Sequence, residues 1–153
     1  MYKTVRLALV VAGVLLLVSL VYTRVDSAPV HSITLQKSSH VISIRGNAIR
    51  VSIANTEKLR AQGLSGRTGL ASDEGMLFIF PKEGMYAFWM KDMLFSIDIV
   101  WIASDGTIVD MYEHVSPDTY PRAFMPQKQA RYVLELPSNY IHAHGIMEGD
   151  VVM

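Results

Sequence analysis

Gly75 to Ile102 reads GMLFIFPKEGMYAFWMKDMLFSIDIVWI, and its reading decides the fold. The stretch holds both tryptophans, four of the nine methionines and four of the five phenylalanines, so the core must be built around it. Three apolar runs of strand length, Met76–Phe80, Met85–Met90 and Ile97–Ile102, are separated by Pro81-Lys82-Glu83-Gly84 and by Lys91-Asp92. Short apolar runs bounded by turn residues read as buried strands, so a buried antiparallel β core is predicted. The first two runs are apolar on both faces and need packing on both sides. In the third, Ile97, Ile99 and Trp101 share one face, and Asp98, Val100 and Ile102 share the other.

On the N-terminal side, Ile42 and Ile44 alternate with Ser43 and Arg45, and Ile49, Val51 and Ile53 alternate with Arg50 and Ser52. Gly46-Asn47 between the runs predicts a hairpin turn, because both residues tolerate positive φ. An earlier strand is expected near Ile33–Leu35. At Asn55-Thr56 the period changes: either residue can cap a short helix over Glu57–Gln62 that Gly63 ends. On the C-terminal side, Asp105-Gly106 turns the chain into a strand over Thr107–Glu113. Ser116–Gln129, with three prolines, reads as the longest loop. Tyr132–Leu136 is a further strand, Pro137-Ser138 starts a helix running through His144, and a last strand follows Gly149-Asp150. The fold class is α+β, mainly antiparallel β. A small curled sheet or barrel-like roll carries two short helices, preceded by an N-terminal hydrophobic helix.

That first helix has the layout of an export signal. Lys3 and Arg6 precede Leu7–Tyr22, which carries no charge, and Arg24 and Asp26 follow. Residues 1–27 are therefore a cleaved signal peptide or a retained signal-anchor helix, 28–40 a linker, and 41–153 one β-rich globular domain. If the helix is retained, the membrane is a partner through it and the domain faces outward. No cysteine is present, which excludes disulfides, thiol nucleophiles and thiolate metal sites. The formal charge of zero conceals an asymmetry. Lys3, Arg6 and Arg24 lie in the leader, leaving 11 basic residues against 14 acids from Val25 onward. A mildly acidic outer domain argues against nucleic acid as a partner.

Several runs, in this order, resemble the domain of unknown function 192 family: Arg60-x-x-Gly63-Leu64, Glu74-Gly75-Met76-Leu77-Phe78-x-Phe80, Phe88-Trp89-Met90-Lys91 and Ile97-Asp98-Ile99. Asp105-Gly106-x-Ile108-Val109, Ala130–Leu136 and Gly145-Ile146-x-x-Gly149-Asp150 continue the match, which covers Ile49 to Val152. The resemblance implies an exported or membrane-associated prokaryotic domain with a compact β-rich fold, and no established activity. Asp92-Met93 stands where the family commonly has Asn-Thr, Ser96 where it commonly has Pro, and Ser65-Gly66 where it has bulkier residues.

Asp98 is the acid that most needs an explanation, because a carboxylate between Ile97 and Ile99 must be paired or hydrogen-bonded. Arg60 offers the planar fork for that role, so an Arg60–Asp98 ion pair fixing the helix on the sheet is expected. A sharper version has Arg60 and Asp98 gripping a polar ligand together with Lys91 and Trp89. Met85, Met90 and Met93 form the soft-ligand set that could bind Cu(I), with His142 and His144 as additional donors. Methionines in an apolar core are ordinary gap fillers, however, and residues two apart on a helix do not share a face. A hydrolase would pair Glu74, Asp98 and Glu135 as acid and base, against the plainer reading that Glu74 and Glu135 are surface or strand-end charges. Ser65 and His114 lie in no recognised catalytic motif.

The function read from these residues is a non-enzymatic, monomeric, extracytoplasmic module without a cofactor. It binds a small ligand or an envelope protein through the Lys91–Ser96 turn and the Ser116–Gln129 loop, with Tyr120 and Phe124 as an exposed aromatic patch. A cell-envelope hydrolase using carboxylates and a methionine-based copper protein are the alternatives.

Overall fold

The computed structural model describes residues His40–Met153. The leader, the linker and the strand expected at Ile33–Leu35 lie outside the described residues. Among those described, no helix is long and apolar enough to cross a membrane.

Among the described residues, eight strands and two α-helices follow in the order β1 (His40–Ile44), β2 (Asn47–Ala54), α1 (Glu57–Gln62), β3 (Glu74–Gly84), β4 (Phe88–Trp89), β5 (Ile97–Ile102), β6 (Ile108–Val115), β7 (Ala123–Phe124), β8 (Ala130–Pro137) and α2 (Tyr140–His144). Six strands form one sheet in the order β1-β2-β3-β8-β5-β6, while β4 and β7 pair by themselves. All pairings are antiparallel except β2 with β3, which α1 connects as a crossover. The α+β, mainly antiparallel expectation with two short helices holds.

The barrel does not close. Isolated bridges at Val152 to Ile44 and at Val151 to Thr107 touch both ends of the sheet without forming a continuous strand. Because one short segment reaches both β1 and the approach to β6, the sheet is curled. The first hairpin also turns one residue earlier than expected. Arg45 and Gly46 take φ of 51° and 80°, as a two-residue turn of this hand requires, and Ile44 pairs with Asn47. Helix α1 matches its expected bounds: Thr56 accepts the N–H of Leu59 at 3.2 Å, and Gly63 ends it at φ 51°.

The largest correction concerns the opening stretch. Its three runs are not neighbouring strands. β8 lies between β3 and β5, pairing with both along most of its length. Met85–Met90 is not a buried strand; only Phe88 and Trp89 are extended, as a strap across one sheet face. Alternation there puts Phe88 inward and leaves Trp89 58 % exposed and Met85 44 % exposed. Edge-to-face contacts run from Phe78 to Phe88, Trp101, Tyr112 and Phe124, and hold the strap down. Trp101 is fully buried, and its indole N–H donates to the Tyr86 carbonyl at 2.9 Å.

The core has two parts, one on each face. The strap and α1 cover a face built from Met76, Phe78, Ile99, Trp101 and Val133. Helix α2 covers the opposite face, with Val100, Ile102, Leu134 and Leu136 against Ile141 and Ile146. This period-two division assigns every charged side chain in the central strands to one side or the other.

Candidate functional site

Asp98 shares its face with Val100 and Ile102, toward α2. Its carboxylate is fully buried and accepts backbone N–H groups from His114 (2.9 Å), Asn139 (3.2 Å) and Ile141 (2.9 Å). Two of these donors belong to the start of α2, whose first N–H groups have no intrahelical acceptor. The third sits at His114, a non-glycine residue at φ 52° where the β5–β6 register shifts. Asp98 therefore fixes a helix on the sheet, as its burial demanded, but through backbone donors.

Arg60 is not its partner. The Arg60 guanidinium donates to the Ile79 carbonyl at 2.9 Å and lies 5.1 Å above the Phe80 ring, on the strap side. The sheet itself separates Arg60 from Asp98, so the expected ion pair is overturned. The joint grip of Arg60 and Asp98 on a ligand falls with it.

Two acids are buried on the strap side: Asp110, in register with Trp101, accepts the N–H groups of Met111 at 2.8 Å and Gln127 at 2.7 Å, and the other is Glu135. It pairs in register with Met76 on β3 and Ile99 on β5, and its side chain shares their face. Only 5 % of it is exposed, and its Oε2 is buried with no hydrogen-bond partner among the described residues. Burial pushes its carboxyl up to about 8, against a smaller opposing pull from Arg67, so it is protonated at neutral pH. The expectation that Glu135 is a surface or strand-end charge is overturned. The sequence did carry a signal: Glu135 sits between Leu134 and Leu136 in an apolar strand, the same pattern that singled out Asp98 between Ile97 and Ile99.

Glu135 lies at the floor of a cleft of about 520 Å³. The end of α1 and the loop beyond it form one wall, from Arg60 to Ser65. Phe78 and Phe80 from β3 form the back, and the strap supplies Ala87, Phe88, Trp89, Lys91, Asp92 and Met93. The two walls are tied together, since Ser65 Oγ donates to the Lys91 carbonyl at 3.0 Å and the Gly66 N–H donates to the Asp92 carbonyl at 3.0 Å. Asp92 takes φ 56° to make the turn. Of the four residues expected to bind a ligand, Arg60, Lys91 and Trp89 meet here and Asp98 does not. Neither Arg60 nor Lys91 forms an ion pair among the described residues.

The other expected groupings separate. Glu74 opens β3 at the surface, where it lies 3.7 Å from Arg50. Glu74, Asp98 and Glu135 thus occupy a strand end, one sheet face and the opposite sheet face, and cannot act on one bond. Met93 lines the cleft, Met90 is buried in the core and Met85 faces solvent, so the three sulfurs are not gathered at one opening. His144 bonds the Tyr140 carbonyl and stacks on that ring, while His142 is exposed. His114 bonds Ser138 at 2.8 Å on the surface, well apart from Ser65 in the cleft wall. Phe124 is not part of an exposed patch: it is buried and paired with Phe88 through β4 and β7, leaving Tyr120 exposed without it. That same pairing does bring the Ser116–Gln129 loop beside the strap, although only the strap lines the cleft.

A family model described as DUF192, Uncharacterized ACR, matches residues 40–153. Two archaeal relatives, both called UPF0127 proteins, are similar over about 105 residues: one from Thermococcus gammatolerans at 29 % identity and one from Thermococcus kodakarensis at 28 %. Each alignment covers 67 % of this chain, and the chain spans 64 % and 63 % of the length of these relatives, just under two thirds. Among solved structures, a Sinorhizobium meliloti protein described as a proposed transcription regulator superposes with a TM-score of 0.73 at 30 % identity. That superposition covers 76 % of this chain and 94 % of that one. A Novosphingobium aromaticivorans protein of unknown function gives a TM-score of 0.72 at 25 % identity, covering 75 % and 84 %.

Proposed function

The chain belongs to the DUF192 family, and we propose that its folded domain is a ligand-binding module that works outside the cytoplasm. One observation carries the binding role: Glu135 is buried at the floor of a cleft of about 520 Å³ with a carboxyl oxygen that no group among the described residues satisfies. A buried polar atom without a partner is destabilising, and a ligand that supplies the partner removes that penalty. The surroundings combine aromatic and apolar side chains with polar and charged ones facing one space, as a site for a polar small molecule requires.

The same geometry favours binding over hydrolysis. Glu135 is the one acid at the floor, with Asp92 out on the strap turn, whereas acid–base cleavage needs two carboxyl groups flanking a bond. Export is supported by the charge pattern of residues 1–27. The acidic balance beyond the leader keeps nucleic acid out of the reading, whatever the description of the Sinorhizobium protein.

Two measurements test this. The full chain, purified from the envelope fraction of its own cells and examined by native mass spectrometry, is expected to carry a small-molecule adduct. Arg60→Met and Trp89→Ala should lose that adduct while staying folded. A chain with no adduct, or with one the variants keep, removes the binding role. An alkaline phosphatase fused after Met153 should be active, and an inactive, stably expressed fusion would place the domain in the cytoplasm.

A further inference from the structure

The cleft also indicates what class of molecule it holds, an inference that rests on the binding role proposed above. Its charge is uneven. Arg60 stands on the α1 wall and Lys91 on the strap, both without a carboxylate partner among the described residues. Arg67, on the loop after α1, is close enough to act on the Glu135 carboxyl. Against these stand Asp92 on the strap turn and Glu135 itself. From the strands beside Glu135 come only Met76 and Ile99, which are apolar, and no histidine lines the cleft.

A cation entering this space meets Arg60 and Lys91 before it reaches the floor. The Phe80 ring has no free face for a cation, since Arg60 lies over it and the Tyr86 ring is stacked on it. An anion is drawn in by the same two groups. Burial keeps the Glu135 carboxyl neutral, which leaves it an O–H donor with an acceptor to find. Phe78 is buried and Phe80 is covered by Arg60 and Tyr86, whereas the exposed indole of Trp89 stands at the mouth with the half-buried Phe88 next to it on the strap. Such walls suit the flat face of a ring.

We propose that the cleft binds a small organic anion, a carboxylate or phosphate carried on a flat ring, with Arg60 and Lys91 holding the charge and the Glu135 carboxyl donating a hydrogen bond to it. No covalent step is involved. The carboxyl keeps its proton while the ligand is bound, so binding and protonation favour one another.

Benzoate and phenyl phosphate represent the two anion sources, and benzylamine is the matching cation. Each is titrated against the full chain by calorimetry at pH 6, 8 and 9. One or both anions should bind, and which of them binds tells carboxylate from phosphate. Their affinity should fall about fivefold from pH 8 to pH 9, because Glu135 must give up its ionised state to receive them. Glu135→Gln should still bind while losing that pH dependence, since an amide donates without titrating. Lys91→Met should weaken both anions and leave the melting temperature unchanged. Benzylamine binding that tightens toward pH 9 would overturn the anion class and leave the binding cleft intact. Anion binding that is flat with pH, or equally pH-dependent in Glu135→Gln, would overturn the role of Glu135. Failure of all three molecules to bind would overturn the ring-anion assignment, whereas the binding role itself stands or falls on the adduct of the native protein.

Discussion

The Asp98 carboxylate accepts the backbone N–H of Ile141 at 2.9 Å across 43 residues of sequence. It joins the central strand β5 to the first turn of α2, and Asn139 and His114 share the same carboxylate. A five-residue helix supplies little stability of its own, because nucleating the first turn is unfavourable. Placing a buried anion against its free N–H groups offsets that, and fixes where the helix sits.

Replacing Asp98 with Asn should destabilise the domain by about 2–4 kcal/mol, since hydrogen bonds to a charged acceptor are lost in a site closed to water. The amide also turns a donor toward backbone donors. Urea denaturation monitored by far-UV circular dichroism measures the change. A loss below half a kilocalorie would mean that Asp98 does not anchor α2.

Glu135 makes stability depend on pH. Below its ordinary value of 4.5 the carboxyl is protonated both folded and unfolded. Between 4.5 and about 8 only the unfolded chain releases the proton. The folded state therefore binds more protons, and stability falls as pH rises through that window, by about 1.4 kcal/mol per pH unit at most. Glu135→Gln should flatten this slope and surpass the parent protein above pH 8. Urea midpoints from pH 5 to pH 9 on both proteins decide it, and parallel curves would show that Glu135 stays ionised.

Gly75 has no room for a side chain. A Cβ there would stand 2.9 Å from the Glu135 carbonyl oxygen and 3.3 Å from methyl carbons of both Leu134 and Leu136. Gly75→Ala should force β3 away from β8 and destabilise the domain by about 2–3 kcal/mol. The pairing of β3 with β8 as drawn is wrong if the variant melts with the parent.

The two tryptophans should respond differently to a quencher. Trp89 is exposed at the cleft mouth, and Trp101 is fully enclosed with its N–H bonded. Acrylamide should quench about half of the native emission, with the rest inaccessible until unfolding. In Trp89→Phe the accessible part should vanish. Uniform quenching of both residues would contradict the enclosure of Trp101 under the strap.

By itself the sequence determined the elements whose signals are local. Thr56 and Gly63 bound α1 because capping is settled within a few residues, and the alternation in β1 and β2 sets which side is buried. The family match and the mainly antiparallel class were equally legible, because motif order and strand-length runs are written along the chain. Asp98 announced a buried acid that had to be satisfied. Only the tertiary structure decided what satisfies it, since the donors come from residues 114, 139 and 141, and the sheet divides Asp98 from Arg60. Strand order is likewise non-local: β8 enters the centre of the sheet from late in the chain and displaces Met85–Met90 from the sheet into a strap. That insertion buries Glu135, lifts Trp89 to the surface, and sets Arg60 and Lys91 above one cleft. The opening stretch is thus a scaffold whose site is completed by a single acid from β8.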